Sequence, residues 1–336
     1  MALLESLGDD YIRRALAEVV IVGVLCGAVG VHVVLRRLSF LTMALTHATF
    51  PGVVLASLIG MNLVLGAGLF GVLVVLAVVM VVGAAGGAAG TGATAGGGTG
   101  TGSGGGAAAD RGGSGGGRDI STVTGVVLSA GFALGVALMS AEDGSNRDLS
   151  AFLVGSVLTV QTSDLAVSAV TALAVLTVLV ALRKELVLAA FDPTALSAAG
   201  YPQRTLGLVL LLLVEAAVVT SLPAVGTIMA VALIVGPAST ARLWCSSTST
   251  MTAVSIAVAI FCGVTGLAVS EQWDVAAGGA IVLTVVAVLV ASVPLSATLT
   301  GRTGRTGRTG RTGRTDRSDR RGHPREVNEL ARKVAV

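Results

Sequence analysis

Runs of roughly twenty uncharged, apolar residues recur along this 336-residue chain, and that recurrence leaves few folds open. Inside a bilayer every backbone N–H and C=O must find a partner within the protein, which only helices and closed barrels achieve. The runs here are continuous rather than alternating, so they predict helices. Nine qualify as spans: Ala15–Leu35, Phe40–Gly60, Leu63–Val82, Ile120–Met139, Leu165–Leu182, Leu206–Leu222, Val225–Ala241, Thr252–Ser270 and Ala276–Val293. A tenth stretch, Leu149–Val160, is too short to cross and reads as re-entrant. With 53% hydrophobic and 12% charged residues, no soluble domain fits. The expected fold is an all-α, polytopic transmembrane helical bundle of eight or nine spans.

Charge sets the expected orientation. Arg36/Arg37, Arg111/Arg118, Arg183/Lys184, Arg242 and the C-terminal arginines all fall on one side if the chain crosses nine times. The positive-inside rule makes that side cytoplasmic and puts the N-terminus outside. From Ala297 onward ten Arg and one Lys face four acids, a surplus of +7 in a chain whose total is +3. The basicity therefore belongs to the tail. The acidic N-terminus (Glu5, Asp9, Asp10) and the full-length first run argue against a cleavable signal. Cys26, Cys245 and Cys262 suggest neither a disulfide framework nor a metal cluster.

The division that follows has five parts. Residues 1–14 form an extracytoplasmic or interfacial segment, and 15–82 hold spans one to three. Residues 83–119, rich in Gly, Ala, Thr and Ser, read as a disordered cytoplasmic linker. Residues 120–295 hold spans four to nine, and 296–336 form a basic, disordered cytoplasmic tail. The tail's repeat, Gly301–Thr315, could meet anionic lipid or RNA. The favoured reading is a solvated tail that enforces topology, with membrane lipid as a partner and nucleic acid as none. The glycine-rich stretch carries no GxxxxGK[ST] pattern, and neither Lys184 nor Lys333 follows such a glycine, so no nucleotide-hydrolysing loop is expected.

Two intramembrane positions carry chemistry. His47 lies in LSFLTMALTHATFPG, with Met43 one helical turn before it and Pro51 one turn after. Pro51 has no amide hydrogen, so in a continuous helix the His47 carbonyl would be left free. Thr42, Thr46 and Thr49 place hydroxyls nearby. Imidazole and thioether suit borderline and soft cations; a histidine bonded between two helices is the plainer alternative. Glu215 sits near the middle of the sixth span, where an ionised carboxylate costs ~2.5–3.5 kcal/mol on insertion scales. It must be protonated, paired or facing water. His32 reads as an interfacial residue, and Asp164, Glu271 and Asp274 as charges at outer helix ends. Gly23, Gly27 and Gly30 allow close helix packing, dimerisation included.

The loop LRKELVLAAFDPTALSAAGYPQRT predicts a short helix at Thr194–Ala199. Asp192–Pro193 starts it, Gly200 supplies a left-handed cap and Pro202 follows. Such a capped element suits mechanical linkage to a cytoplasmic partner.

Together several segments resemble the permease subunit of ABC-type uptake systems for zinc, manganese or chelated iron. The segments are VLRRLSF with ALTHATFPGVVLA, AFLVGSVLTVQTSDL, FDPTALSAAGYP, PAVGTIMAVALIVGPASTARL and AAGGAIVL, in order over about residues 11–295. The resemblance implies an importer-type transmembrane domain in the cytoplasmic membrane of a prokaryote, with no enzyme site of its own. It implies two permease subunits around a central path, two cytoplasmic ATP-binding subunits and an extracytoplasmic metal-binding protein. Phe191, Asp192, Pro193 and Gly200 would dock the ATPase, within a coupling helix at about 190–200. His47, Met43 and Glu215 are the candidate metal-path residues, with no cofactor bound permanently. The family motif usually has an acid four residues before the histidine; here that position is Met43. A Met/His pair lacks the hard, negative ligand and favours zinc over manganese or iron. The alternatives are a siderophore- or cobalamin-type permease and an ion-coupled secondary carrier working through Glu215 and His47.

Overall fold

The computed structural model describes residues 10–61, 63–91, 115–140, 157, 160–273 and 275–305. The described helices are α1 (Asp10–Leu35), α2 (Ser39–Ala48), α3 (Phe50–Ile59), α4 (Leu63–Thr91), α5 (Gly115–Ser140) and α6 (Thr162–Ala181), followed by α7 (Arg183–Phe191), α8 (Pro193–Ala198), α9 (Gln203–Val225), α10 (Thr227–Trp244), α11 (Thr248–Trp273) and α12 (Ala277–Arg305). No strand occurs among the described residues. Residues up to Val293 form one compact unit, and Pro294 onward belongs to a second.

The first span is the inner post of that first unit. α1 packs against α6, α9, α10 and α11, with Ala15, Val22, Leu25, Cys26, Val29 and Val33 fully enclosed. Small residues make this possible. A Cβ on Gly27 would lie 2.8 Å from Ile256 Cα of α11, and Ser255 donates to the Gly27 carbonyl at 2.8 Å. A Cβ on Gly30 would run into the Ile234 carbonyl of α10. The glycine stripe thus serves packing within the chain, not a dimer contact. Two arginines tie the ends together: Arg242 donates to the Val34 carbonyl at 3.2 Å and Arg36 to the Leu186 carbonyl at 3.4 Å.

Six stretches are long and apolar enough to span: Asp10–Leu35, Ser39–Ser57, Thr162–Ala181, Gln203–Pro223, Thr248–Trp273 and Ala277–Ser296. Three shorter apolar helices accompany them, Val64–Met80, Ser129–Leu138 and Met229–Trp244. α9 and α10 are joined by the single residue Gly226, at φ 81°, a left-handed link that glycine adopts without a Cβ clash.

Three sequence expectations change. α4 continues to Thr91 and α5 begins at Gly115, so both ends of the expected linker are helical; 92–114 lie outside the described residues. α12 runs to Arg305, past the expected start of the disordered tail, and the rest of the tail is likewise outside. α1 starts at Asp10 and already buries Ile12, inside the segment taken as interfacial. His32 is 6% exposed, because α1 is enclosed by α10 and α11 up to its last turn. The re-entrant stretch falls outside the description except for Val157 and Val160.

Candidate functional site

The second span is broken. α2 ends at Ala48 and α3 begins at Phe50, with Pro51 in its first turn. Three threonine hydroxyls bond back to the chain here. Thr42 donates to the Leu38 carbonyl at 3.1 Å and Thr46 to Met43 at 2.7 Å; Thr49 lies 3.0 Å from the carbonyls of both Leu45 and Thr46. Hydroxyls that compete for carbonyls in this way bend helices, and a proline just beyond completes the break. The His47 carbonyl is not wholly free as expected, because the Thr49 N–H turns toward the carbonyls of both Leu45 and His47. The three threonines are buried, and their hydroxyl hydrogens go to the backbone.

Met43 and His47 share the one face of α2 that the other described helices leave open. Leu41, Thr42, Ala44, Leu45, Thr46 and Ala48 are buried, whereas Met43 is 43% exposed and His47 half-buried. The imidazole meets the Phe132 ring of α5 edge-on, with centroids 6.0 Å apart, and its nitrogens have no hydrogen-bond partner among the described residues. Phe132 also stacks on Phe50 across the break. The ring is thus held by aromatic contact while its nitrogens remain available.

Glu215 of α9 reaches the same break from behind. It is 2% exposed, and neither carboxyl oxygen has a hydrogen-bond partner among the described residues. Gly71 of α4 makes room for it: a Cβ there would sit 2.6 Å from Glu215 Cδ and 2.8 Å from Thr49 Cγ2. The carboxyl therefore lies beside Thr49, two residues past His47, yet no hydrogen bond joins it to the imidazole. Among the described residues no group of three or more His, Cys, Asp or Glu converges as a metal cage.

Glu18 was not singled out in the sequence, although an acid three residues inside an apolar run was the available signal. It is 2% exposed; Ser168 of α6 donates to its Oε1 at 2.7 Å, and Oε2 is buried without a partner. Asp164 closes the first turn of α6, where its Oδ2 accepts from the Gln161 N–H at 3.2 Å, a capping role rather than a free charge. Glu271 is exposed, and Asp274 lies outside the described residues.

Ahead of α9 the loop folds into α7 and α8. Asp192 Oδ1 accepts from the Thr194 hydroxyl at 2.6 Å, the Ala195 N–H at 2.9 Å and the Thr194 N–H at 3.1 Å. These bonds, the hydroxyl's first, hold its carboxyl below the usual carboxylate range. Pro193 takes the first helical position, where a missing N–H costs nothing. Gly200 ends the element at φ 81°. Leu196 is fully buried and anchors it, while Phe191 is 67% exposed.

The model of the family described as ABC 3 transport matches residues 8–86 and 117–296, more than half of the chain. The chain belongs to the ABC 3 transport family. The manganese import system permease protein ScaB of Streptococcus gordonii is 32% identical over 274 residues, 82% of this chain and 87% of its own. The manganese transport system membrane protein MntC of Halalkalibacterium halodurans is 29% identical over 279 residues, 83% of this chain and 85% of its own. A chelated iron transport system membrane protein, YfeD of Yersinia pestis, is 29% identical over 279 residues, 83% of each chain. Among solved structures, PsaBC from Streptococcus pneumoniae in complex with Fab matches with a TM-score of 0.70 at 28% identity, covering 87% of this chain and 94% of that one. This ABC 3 chain is accordingly an all-helical membrane subunit of a transport system, not an enzyme. No zinc protein is among these relatives, so the preference drawn from Met43 stands on donor chemistry alone.

Proposed function

We propose that this chain is the permease subunit of an ATP-driven importer that carries a divalent transition-metal ion across the cytoplasmic membrane. The observation that carries the reading is the broken second span. One open face presents a thioether and an imidazole held edge-on by Phe132, and a buried carboxyl without a hydrogen-bond partner among the described residues stands behind the break. A transport path must bind its ion weakly enough to release it. Met43 and His47, repeated by a second permease copy, would give few and soft donors, and Glu215 would supply the negative charge that Met43 does not.

The named cargoes of the relatives, manganese and chelated iron, set the order of candidates: manganese first, iron second. Zinc is favoured only by the Met/His donor pair. Six long spans and the three shorter apolar helices support nine crossings, with the N-terminus outside and the C-terminus in the cytoplasm. The α7–α8 element, with Phe191 exposed on it, would dock a separate cytoplasmic ATP-binding subunit through Phe191, Asp192, Pro193 and Gly200. An extracytoplasmic metal-binding protein would deliver the ion.

The test is uptake by the assembled complex in proteoliposomes. ATP-dependent accumulation of manganese, reduced by excess unlabelled manganese and less by zinc, is the expected result. Accumulation of an intact organic chelate with no uptake of free ion would reject the reading. Uptake without any ATP-binding subunit would make the chain a secondary carrier.

A further inference from the structure

The arginine-rich end of the bundle holds a cavity of about 760 Å³ between the α1–α2 turn, α4, α7, α8 and the start of α9. Its mouth carries Arg36, Arg37 and Arg204, and Leu41, Val79 and Leu211 are among its walls. No aspartate or glutamate lines it. Among the described residues the one ion pair is Arg13 with Asp10, far away in sequence on the first turn of α1. Arg36 spends one N–H on the Leu186 carbonyl, and its Nε is buried without an acceptor. Arg37 and Arg204 are exposed, and their guanidinium groups make no hydrogen bond with the described residues. α9 begins at the same mouth, so its first N–H groups add partial positive charge.

The backbone at Arg37 points the same way. α1 ends in a Schellman turn: Leu38 N–H bonds the Val33 carbonyl at 2.9 Å, and Arg37 N–H bonds Val34 at 3.2 Å. Arg37 therefore occupies the left-handed position, at φ 57°, where glycine is the usual residue. It is the one non-glycine residue at positive φ among the described residues. A chain with 46 glycines holds an arginine here.

We propose that this cavity holds an anionic phospholipid, with its phosphate against Arg37 and Arg204 and an acyl chain along Leu41, Val79 and Leu211. A basic pocket between spanning helices on the cytoplasmic side is the setting in which acidic headgroups bind. A soluble anion would use the arginines and leave the apolar walls uncovered; a lipid uses both. The Pro193 end of α8 forms part of the same cavity, so the bound lipid touches the short capped helix.

The test uses the purified full-length chain, delipidated in detergent and exposed to vesicles of phosphatidylglycerol or phosphatidylcholine, with retained lipid measured by mass spectrometry. The wild type retains phosphatidylglycerol preferentially. The Arg37→Gln, Arg204→Gln double variant loses that preference by roughly ten- to thirtyfold, the effect of two surface cations. Arg37→Gly removes the charge and relaxes the backbone, and it loses preference in part. Arg204→Gln alone, at an exposed position, does the same and covers the case in which the double variant fails to fold. Val79→Trp fills the cavity and reduces retention of both lipids. Equal retention by wild type and both single variants overturns the proposal. So does displacement of the lipid by inorganic phosphate, which would mark a free-anion site. The same double variant purified with its ATP-binding subunit is the control: loss of that subunit with lipid retention unchanged overturns the proposal and assigns the arginines to the subunit.

Discussion

Asp192 and Glu215 carry acids of similar chemistry in opposite states. Asp192 is exposed, and one of its oxygens accepts three hydrogen bonds that start the α8 helix. Glu215 is buried beside the break in the second span, and its oxygens accept none. A carboxyl with every bond made is explained by the local fold. A buried carboxyl with none costs free energy that the local fold does not return, which is what the proposed path role would explain. Glu18 lies between the two, with one oxygen satisfied by Ser168.

Substitution can break this contrast. Glu215→Leu should separate stability from transport most widely. Removing an unsatisfied buried group stabilises the fold by about 1–3 kcal/mol, seen as a higher unfolding temperature in detergent. Metal uptake should meanwhile fall ~10-fold or more. A loss of both stability and uptake would make Glu215 structural. Met43→Asp should act next most strongly. A hard oxygen and a negative charge one turn before His47 should shift the manganese-to-zinc uptake ratio toward manganese by roughly 5-fold, measured by competition. An unchanged ratio would remove Met43 from the path.

At the other pole, Asp192→Ala should leave the metal preference alone and reduce ATP-driven uptake by about 2-fold through a frayed α8, whereas Asp192→Asn, which still accepts at the cap, should restore it. The smallest effect is that of pH on the cap. The folded Asp192 carboxyl titrates below its ordinary value of about 3.9, so the cap's contribution is full above that value and is lost as pH falls through the lowered one. ATPase coupling should then show no Asp192-dependent change between about pH 5 and about pH 8, checked by comparing the wild type with Asp192→Asn.

The two regions were not equally legible in the sequence. α8 was readable because its signals are local: Asp192 as N-cap, Pro193 at the first position and Gly200 as the left-handed end lie within nine residues. The break in the second span was half readable. Pro51 marked its neighbourhood, but the chain turns at Thr49, where back-bonded hydroxyls and the packing of Phe50 on α5 decide the position. The meeting of Glu215 with Thr49 depends on Gly71, which stands 144 positions before Glu215, and periodicity along one chain does not say which faces adjoin. The burial of His32 and Glu18 was hidden for the same reason: a span enclosed on every side and a span facing lipid are both continuously apolar.

The central claim, that the open Met43–His47 face is where the ion passes, is tested most directly by His47→Ala in the assembled complex, with radiolabelled manganese uptake measured at limiting external metal and ATPase activity followed in parallel. Uptake reduced ~10-fold or more with ATP hydrolysis retained is the predicted result. Uptake equal to the wild type at the same metal concentration would contradict it.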